Sequence, residues 1–279
     1  MLWKDQGRSS NLEDRRGFGG RAGMGIGGTA ILLVLSLLFG RNFFEDVPGG
    51  AGAVTQTANG RLAPGDSARE EPEVRFVSFV LDDAQKTWAS ILPKYGANYH
   101  DAGLVLFRRA TNTACGTGQT GMGPFYCPLD EKVYIDLEFY EELKTKFGAT
   151  GDFAQAYVIA HELGHHVQHI LRTDQQVQRA RQSGGAGAND MSVRLELQAD
   201  CYAGVWGHST KERSILQEGD VDEGLNAAAS VGDDRIQQRT TGSVRPEAFT
   251  HGTAAQRSSW FKHGFQTGDP RACDTFSSR

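Results

Sequence analysis

His161-Glu162-Leu163-Gly164-His165-His166-Val167-Gln168-His169-Ile170 is the stretch that decides the fold of this 279-residue chain. His161, Glu162 and His165 spell H-E-x-x-H. On an α-helix the two imidazoles lie one turn apart on one face, close enough to share a Zn²⁺. Glu162 stands beside them, where it can take a proton from a metal-activated water. The surrounding residues read as a helix. Asp152 is the expected N-cap, and Phe153, Ala156, Tyr157, Ala160, Leu163, Val167 and Ile170 recur at steps of three and four. The two ligands fall on a stripe offset from that apolar one, so they face a cleft while the other side packs. Three fixed positions alone also fit a polar-face histidine cluster without metal, so the reading depends on a third ligand.

Gln168 and Leu171 stand where a metzincin requires Gly and His, which excludes that class. His169 lies about 12 Å along the helix axis from His161, outside a shared coordination shell. Downstream, Glu196-Leu197-Gln198-Ala199-Asp200 puts two carboxylates at i and i+4 on a second helix, expected from about Asp190 to Trp206. The plain alternative is a solvated acidic pair. Together with H-E-x-x-H the spacing resembles the gluzincin arrangement, which implies Glu196 as third zinc ligand. Asp200 then accepts a hydrogen bond from the far nitrogen of a ligating His and fixes its tautomer.

Further segments carry a wider resemblance. They are Trp3-Lys4 and Glu13-Asp14-Arg15-Arg16-Gly17, then Ala114-Cys115-Gly116 and Gly123-Pro124-Phe125-Tyr126-Cys127-Pro128. After them come Glu196 to Cys201, Ala203-Gly204-Val205-Trp206, Val231-Gly232-Asp233-Asp234, and Trp260-Phe261-Lys262 through Phe276. In these the chain resembles the bacterial family of membrane-anchored neutral zinc metallopeptidases, over nearly all of its length apart from a linker. The resemblance implies an α+β, zincin-like domain, mostly helical with a small sheet. It implies one Zn²⁺ per chain on His161, His165 and Glu196, and hydrolysis of peptide bonds with Glu162 as general base. His251, just before the last expected helix, is the candidate donor to the oxyanion, with Arg257 and His263 as lesser candidates. The rival reading is a zinc-containing binding or scaffold module without turnover. The intact Glu162 speaks against it, since a structural site has no use for that carboxylate.

The uncharged run Ala22–Gly40 spans about 28 Å as a helix, enough for a hydrocarbon core. Lys4, Arg8, Arg15, Arg16 and Arg21 precede it, and little beyond Arg41 follows closely. The positive-inside rule predicts residues 1–21 as a cytoplasmic tail, 22–40 as a transmembrane helix, and the rest outside, in the periplasm where an outer membrane exists. The small-x-small triplet Ala51-Gly52-Ala53 lies too far beyond the apolar core for a cleaved signal, which favours a retained anchor. Residues 41–73, rich in Gly, Ala, Pro and acidic groups, read as a flexible linker, and 74–279 as the peptidase domain. A net charge of −5 without a basic patch argues against nucleic acid as partner and leaves a peptide or protein substrate.

Four cysteines allow three pairings. The sequence does not choose among them, though low closure entropy favours Cys115 with Cys127, and Cys201 with Cys273 would be the second pair. Bridges suit the oxidising side of a membrane. Strands are expected at Leu104–Arg109 and Lys132–Leu137, and a strand-to-helix region at Phe76–Asp83. Helices are expected at Ala84–Tyr95, Glu138–Phe147, Asp220–Gln238 and Thr253–Gln266, the last opening with a Thr253/Gln256 capping box. The Lys132–Leu137 strand is the expected free edge for an extended peptide.

Overall fold

The structure, a computed structural model, describes residues 1–17, 64–182 and 187–277. The Ala22–Gly40 run and most of the expected linker fall outside them. Among the described residues no helix is long and apolar enough to cross a membrane.

A four-stranded sheet runs β1 (Leu12–Asp14), β2 (Gly103–Phe107), β6 (Lys132–Asp136), β5 (Phe125–Cys127). The first three are parallel and β5 is antiparallel to β6. A separate hairpin pairs β3 (Ala110–Thr113) with β4 (Gly116–Gln119). Eight α-helices are described: α1 (Pro64–Ile91), α2 (Glu138–Thr145), α3 (Asp152–Ile170), α4 (Thr173–Gln182), α5 (Ala188–Glu212), α6 (Asp220–Ser230), α7 (Asp233–Thr241) and α8 (Ala254–Thr267). The mostly helical α+β class is as expected. Strand alternation divides the sheet between two cores. Leu104, Leu106, Val133 and Ile135 face the helices, while Val105, Phe107, Tyr134 and Cys127 form the opposite cluster. Val74, Val77, Val80 and Leu81 press one face of α1 into the main core, each fully buried. Such burial stabilises by about 1.5–3 kcal/mol per side chain.

Several expectations change. Phe76–Asp83 is helical throughout, and α1 runs ten residues upstream of Val74 despite Pro72 inside it. Its first turns belong to a segment read as linker. The expected Asp220–Gln238 helix breaks into α6 and α7 at Gly232, where a Cβ would meet the Ala254 nitrogen at 2.3 Å. The Lys132–Asp136 strand is interior, between β2 and β5, because β5 returns antiparallel through the cysteine loop. The sheet edge beside the ligand helix is therefore β5. Gly151, not Asp152, is the N-cap of α3, and Glu223 of α6 accepts the Phe153 N–H there at 3.1 Å. The Thr253/Gln256 capping box is present as expected.

The largest departure concerns the amino end. β1 pairs with β2 in register Leu12 to Leu104 and Asp14 to Leu106. Leu2 donates its N–H to the Ile215 carbonyl at 2.7 Å, and Trp3 packs edge-on against Phe76. Arg16 is buried between Asp14 at 2.7 Å and Glu70 at 2.6 Å, while Arg8 reaches Asp14 and Glu71. The Met1 ammonium sits on Asp152 at 2.8 Å and Asp220 at 3.3 Å. A chain crossing a bilayer once between residues 22 and 40 would put residues 1–21 and 74–279 in different compartments, where they cannot share a sheet. Residues 1–17 thus pack into the same fold as the described residues from 64 on.

Candidate metal centre

The site forms where α3 and α5 touch. Gly164 permits this approach, since a Cβ there would lie 3.0 Å from the Ala199 carbonyl oxygen. The contact brings His161, His165 and Glu196 together, each offering one donor atom within 4.8 Å of the others.

Each imidazole is oriented from behind. His161 donates its Nδ1–H to Asp200 Oδ1 at 2.9 Å and turns Nε2 toward Glu196 Oε2 at 3.2 Å, where a metal would replace the Nε2 proton. His165 donates Nδ1–H to Gln168 Oε1 at 2.8 Å and turns Nε2 toward Glu196 Oε1 at 3.6 Å. Gln168 in turn donates to the Leu195 carbonyl at 2.7 Å and to Gln198 at 3.1 Å. Gln168, which the sequence offers only as the residue that rules out a metzincin, is the fixing partner of His165. Asp200 is fully buried and receives three further hydrogen bonds. Arg257 contributes Nε at 2.8 Å and Nη2 at 2.9 Å, and the Tyr157 hydroxyl contributes the third. Tyr157 is one turn before His161, and that i−4 position is the signal by which the sequence could have found it.

The charges follow from these contacts. Burial pushes the Asp200 carboxyl up, but Arg257 and His161 hold it below the usual range. Glu196 is likewise opposed by burial, yet His165 and His161 hold it well below that range. Burial pushes the Glu162 carboxyl up, with Glu196 adding. Burial lowers His161, but Asp200 and Glu196 outweigh it and carry the imidazole to about 9.

His161, Glu162, His165, Glu196 and His251 line one cavity of about 610 Å³. Phe139, Phe147, Val158 and Ile236 make part of its apolar wall. The His251 Nδ1 meets Asp233 at 3.1 Å, and that carboxylate also accepts the backbone N–H groups of Thr250, His251 and Gly252. Arg257, a lesser oxyanion candidate, is committed to Asp200, Tyr157 and the Val231 carbonyl. His263 is exposed, edge-on to Trp260, and is not among the residues that line the cavity. The Cys115–Cys127 and Cys201–Cys273 bridges both form as expected. The second ties α5, next to Asp200, to the carboxyl-terminal turn.

Two imidazole nitrogens with their far sides hydrogen-bonded, plus one carboxylate, suit a zinc ion with a position left for water. A family model described as "Putative neutral zinc metallopeptidase" matches residues 1–276. The chain belongs to this family. It is 45% identical over 287 aligned residues to the uncharacterized protein YpfJ of Escherichia coli K12, covering 99% of each chain. It is 48% identical over 202 residues to the uncharacterized protein Mb2605 of Mycobacterium bovis, covering 68% of this chain and 66% of that one. No solved structure matches it.

Proposed function

We propose that this protein is a zinc-dependent endopeptidase acting on extended peptides or unfolded protein segments. The observation that carries the reading is the convergence of His161, His165 and Glu196 within 4.8 Å at a cavity that Glu162 also lines. Zinc held by these three residues would supply Lewis acidity to water and to the scissile carbonyl. Glu162, made more basic by burial, takes the proton of the attacking water and passes it to the leaving amine as the C–N bond breaks. His251, oriented at Nδ1 by Asp233, is the donor to the oxyanion through its other ring nitrogen. Asp200, held by Arg257, keeps His161 in the Nδ1–H tautomer. Among the described residues one edge of β5 pairs with no strand, and it offers an extended peptide backbone hydrogen bonds beside the site.

Two disulfides favour an oxidising compartment, and envelope proteins or peptides are the substrates found there. The apolar run at 22–40 supports attachment to the membrane. The pairing of β1 with β2 favours the amino end lying on the same side as the domain.

Glu162→Gln tests the reading. The variant keeps shape and zinc but loses the base, so peptide cleavage falls by about 10²–10⁴. Zinc content is measured by metal analysis and turnover with a mixed peptide library, against a chelator-treated control. Equal cleavage by both proteins would assign the activity to another source. A zinc-loaded wild type that cuts nothing would favour the binding module.

A further inference from the structure

One side chain of the active helix is directed away from the metal ligands. His166 follows His165 and is fully buried. Its Nε2 lies 2.7 Å from the His100 carbonyl oxygen. A carbonyl only accepts, so Nε2 carries the hydrogen and Nδ1 is the acceptor. The Tyr126 hydroxyl, 2.9 Å from Nδ1, is therefore the donor. The rings of Tyr99 and His100 meet the imidazole edge-on at 5.4 Å and 5.0 Å, which fixes its plane.

Tyr126 is the middle residue of β5, whose register runs Phe125 to Tyr134, Tyr126 to Val133 and Cys127 to Lys132. Among the described residues, this three-residue strand has a strand neighbour on one side only. Phe125 and Tyr126 line the same cavity as Glu162. The Cys115–Cys127 bridge holds one end of β5, but that bridge leads to the β3–β4 turn and not to the metal ligands. The Tyr126–His166 bond is a direct polar tie between this edge and the helix that carries His161, Glu162 and His165.

We propose that the Tyr126–His166–His100 chain sets the height of the β5 edge over the metal ligands, making Tyr126 and His166 positioning residues for an extended peptide. The inference rests on the peptidase reading and adds how the substrate is placed. A peptide paired along β5 presents its scissile carbonyl at a position fixed by the strand, and Glu162 acts from a position fixed by α3. When β5 shifts relative to α3, a peptide that still brings its carbonyl to Glu162 gives up part of its pairing along the strand, so the loss falls on binding. A short substrate that does not reach along β5 does not depend on the tie.

The test compares an extended blocked hexapeptide with a short blocked dipeptide on zinc-loaded full-length protein. Tyr126→Phe keeps the ring in the cavity wall and removes only the hydroxyl. It should raise KM for the hexapeptide on the order of tenfold, leave kcat within about twofold, and leave dipeptide kinetics and zinc content unchanged. His166→Gln, which can still accept from Tyr126 and donate to His100, should retain more hexapeptide binding than His166→Leu. An unchanged hexapeptide KM in Tyr126→Phe, with an active wild type, overturns this inference alone. Equal losses on both substrates overturn it too, since they signal a loosened site. A zinc-loaded wild type that cuts neither peptide overturns the peptidase reading and this inference with it.

Discussion

Two arginine–carboxylate networks hold this domain together, and they work in different media. Around the metal site, Arg257 and Asp200 are 4% and 0% exposed, and Arg257 donates to both carboxylate oxygens of Asp200. At the amino end, Arg8 and Glu71 are 42% and 27% exposed and lie beside water. The same pair of groups therefore does two jobs. In the interior it fixes one geometry, because an unmatched charge there is strongly penalised. At the surface it adds little energy and mainly selects which strand docks, with Arg16 the one buried member of the group.

The sharpest way to break this comparison is all-or-none. A reporter that functions only after export, fused separately to each end, should be active at both. Activity at the carboxyl end alone would mean that β1 does not pair with β2 in cells. Next in size, Arg257→Met leaves Asp200 buried without its main counter-charge and should cost about 3–5 kcal/mol in urea unfolding. Arg8→Ala should cost about 1 kcal/mol or less, a loss that shrinks further in high salt. Comparable losses from the two substitutions would erase the distinction between interior and surface.

A further effect is read only against pH and concerns Glu73. Burial, with Glu70 adding, pushes its carboxyl from 4.5 up to about 7. The folded state then holds this proton more tightly than the unfolded chain. The stability it contributes is complete below about 4.5 and is lost as pH rises through about 7. Glu73→Gln should flatten that part of the urea-midpoint profile between these limits. A wild-type profile with the same slope as the variant would show that Glu73 is not the group responsible.

Much of the site was legible because its chemistry is periodic. His161, Glu162 and His165 repeat on one helix, and Glu196 and Asp200 repeat on another, so spacing alone predicted their faces. Closure entropy pointed to the Cys115–Cys127 bridge, while the pairing as a whole came only with the structure. Gln168 and Tyr157 stand at i+3 from His165 and i−4 from His161 on the same helix, a usable signal, but their bonds to α5 are not something the spacing of one helix reports. The first turns of α1 and the strand β1 were missed together for one reason. Leu12-Glu13-Asp14 is too short and too polar to read as a strand, and a helix containing Pro72 reads as a linker. Glu70 and Glu71 on α1 bind Arg16 and Arg8 beside β1, so each segment is the other's missing partner. The edge strand was misplaced because β5 has only three residues, inside a cysteine loop rich in turn signals.

The pairing of Leu12 with Leu104 also has a consequence in time. A ribosome adding about 5–20 residues per second makes β1 long before its neighbour exists. For those seconds the residues that will close one side of the sheet have no seat. These residues wait for a partner that lies about ninety positions further along the chain. During that interval they remain open to whatever receives a nascent chain.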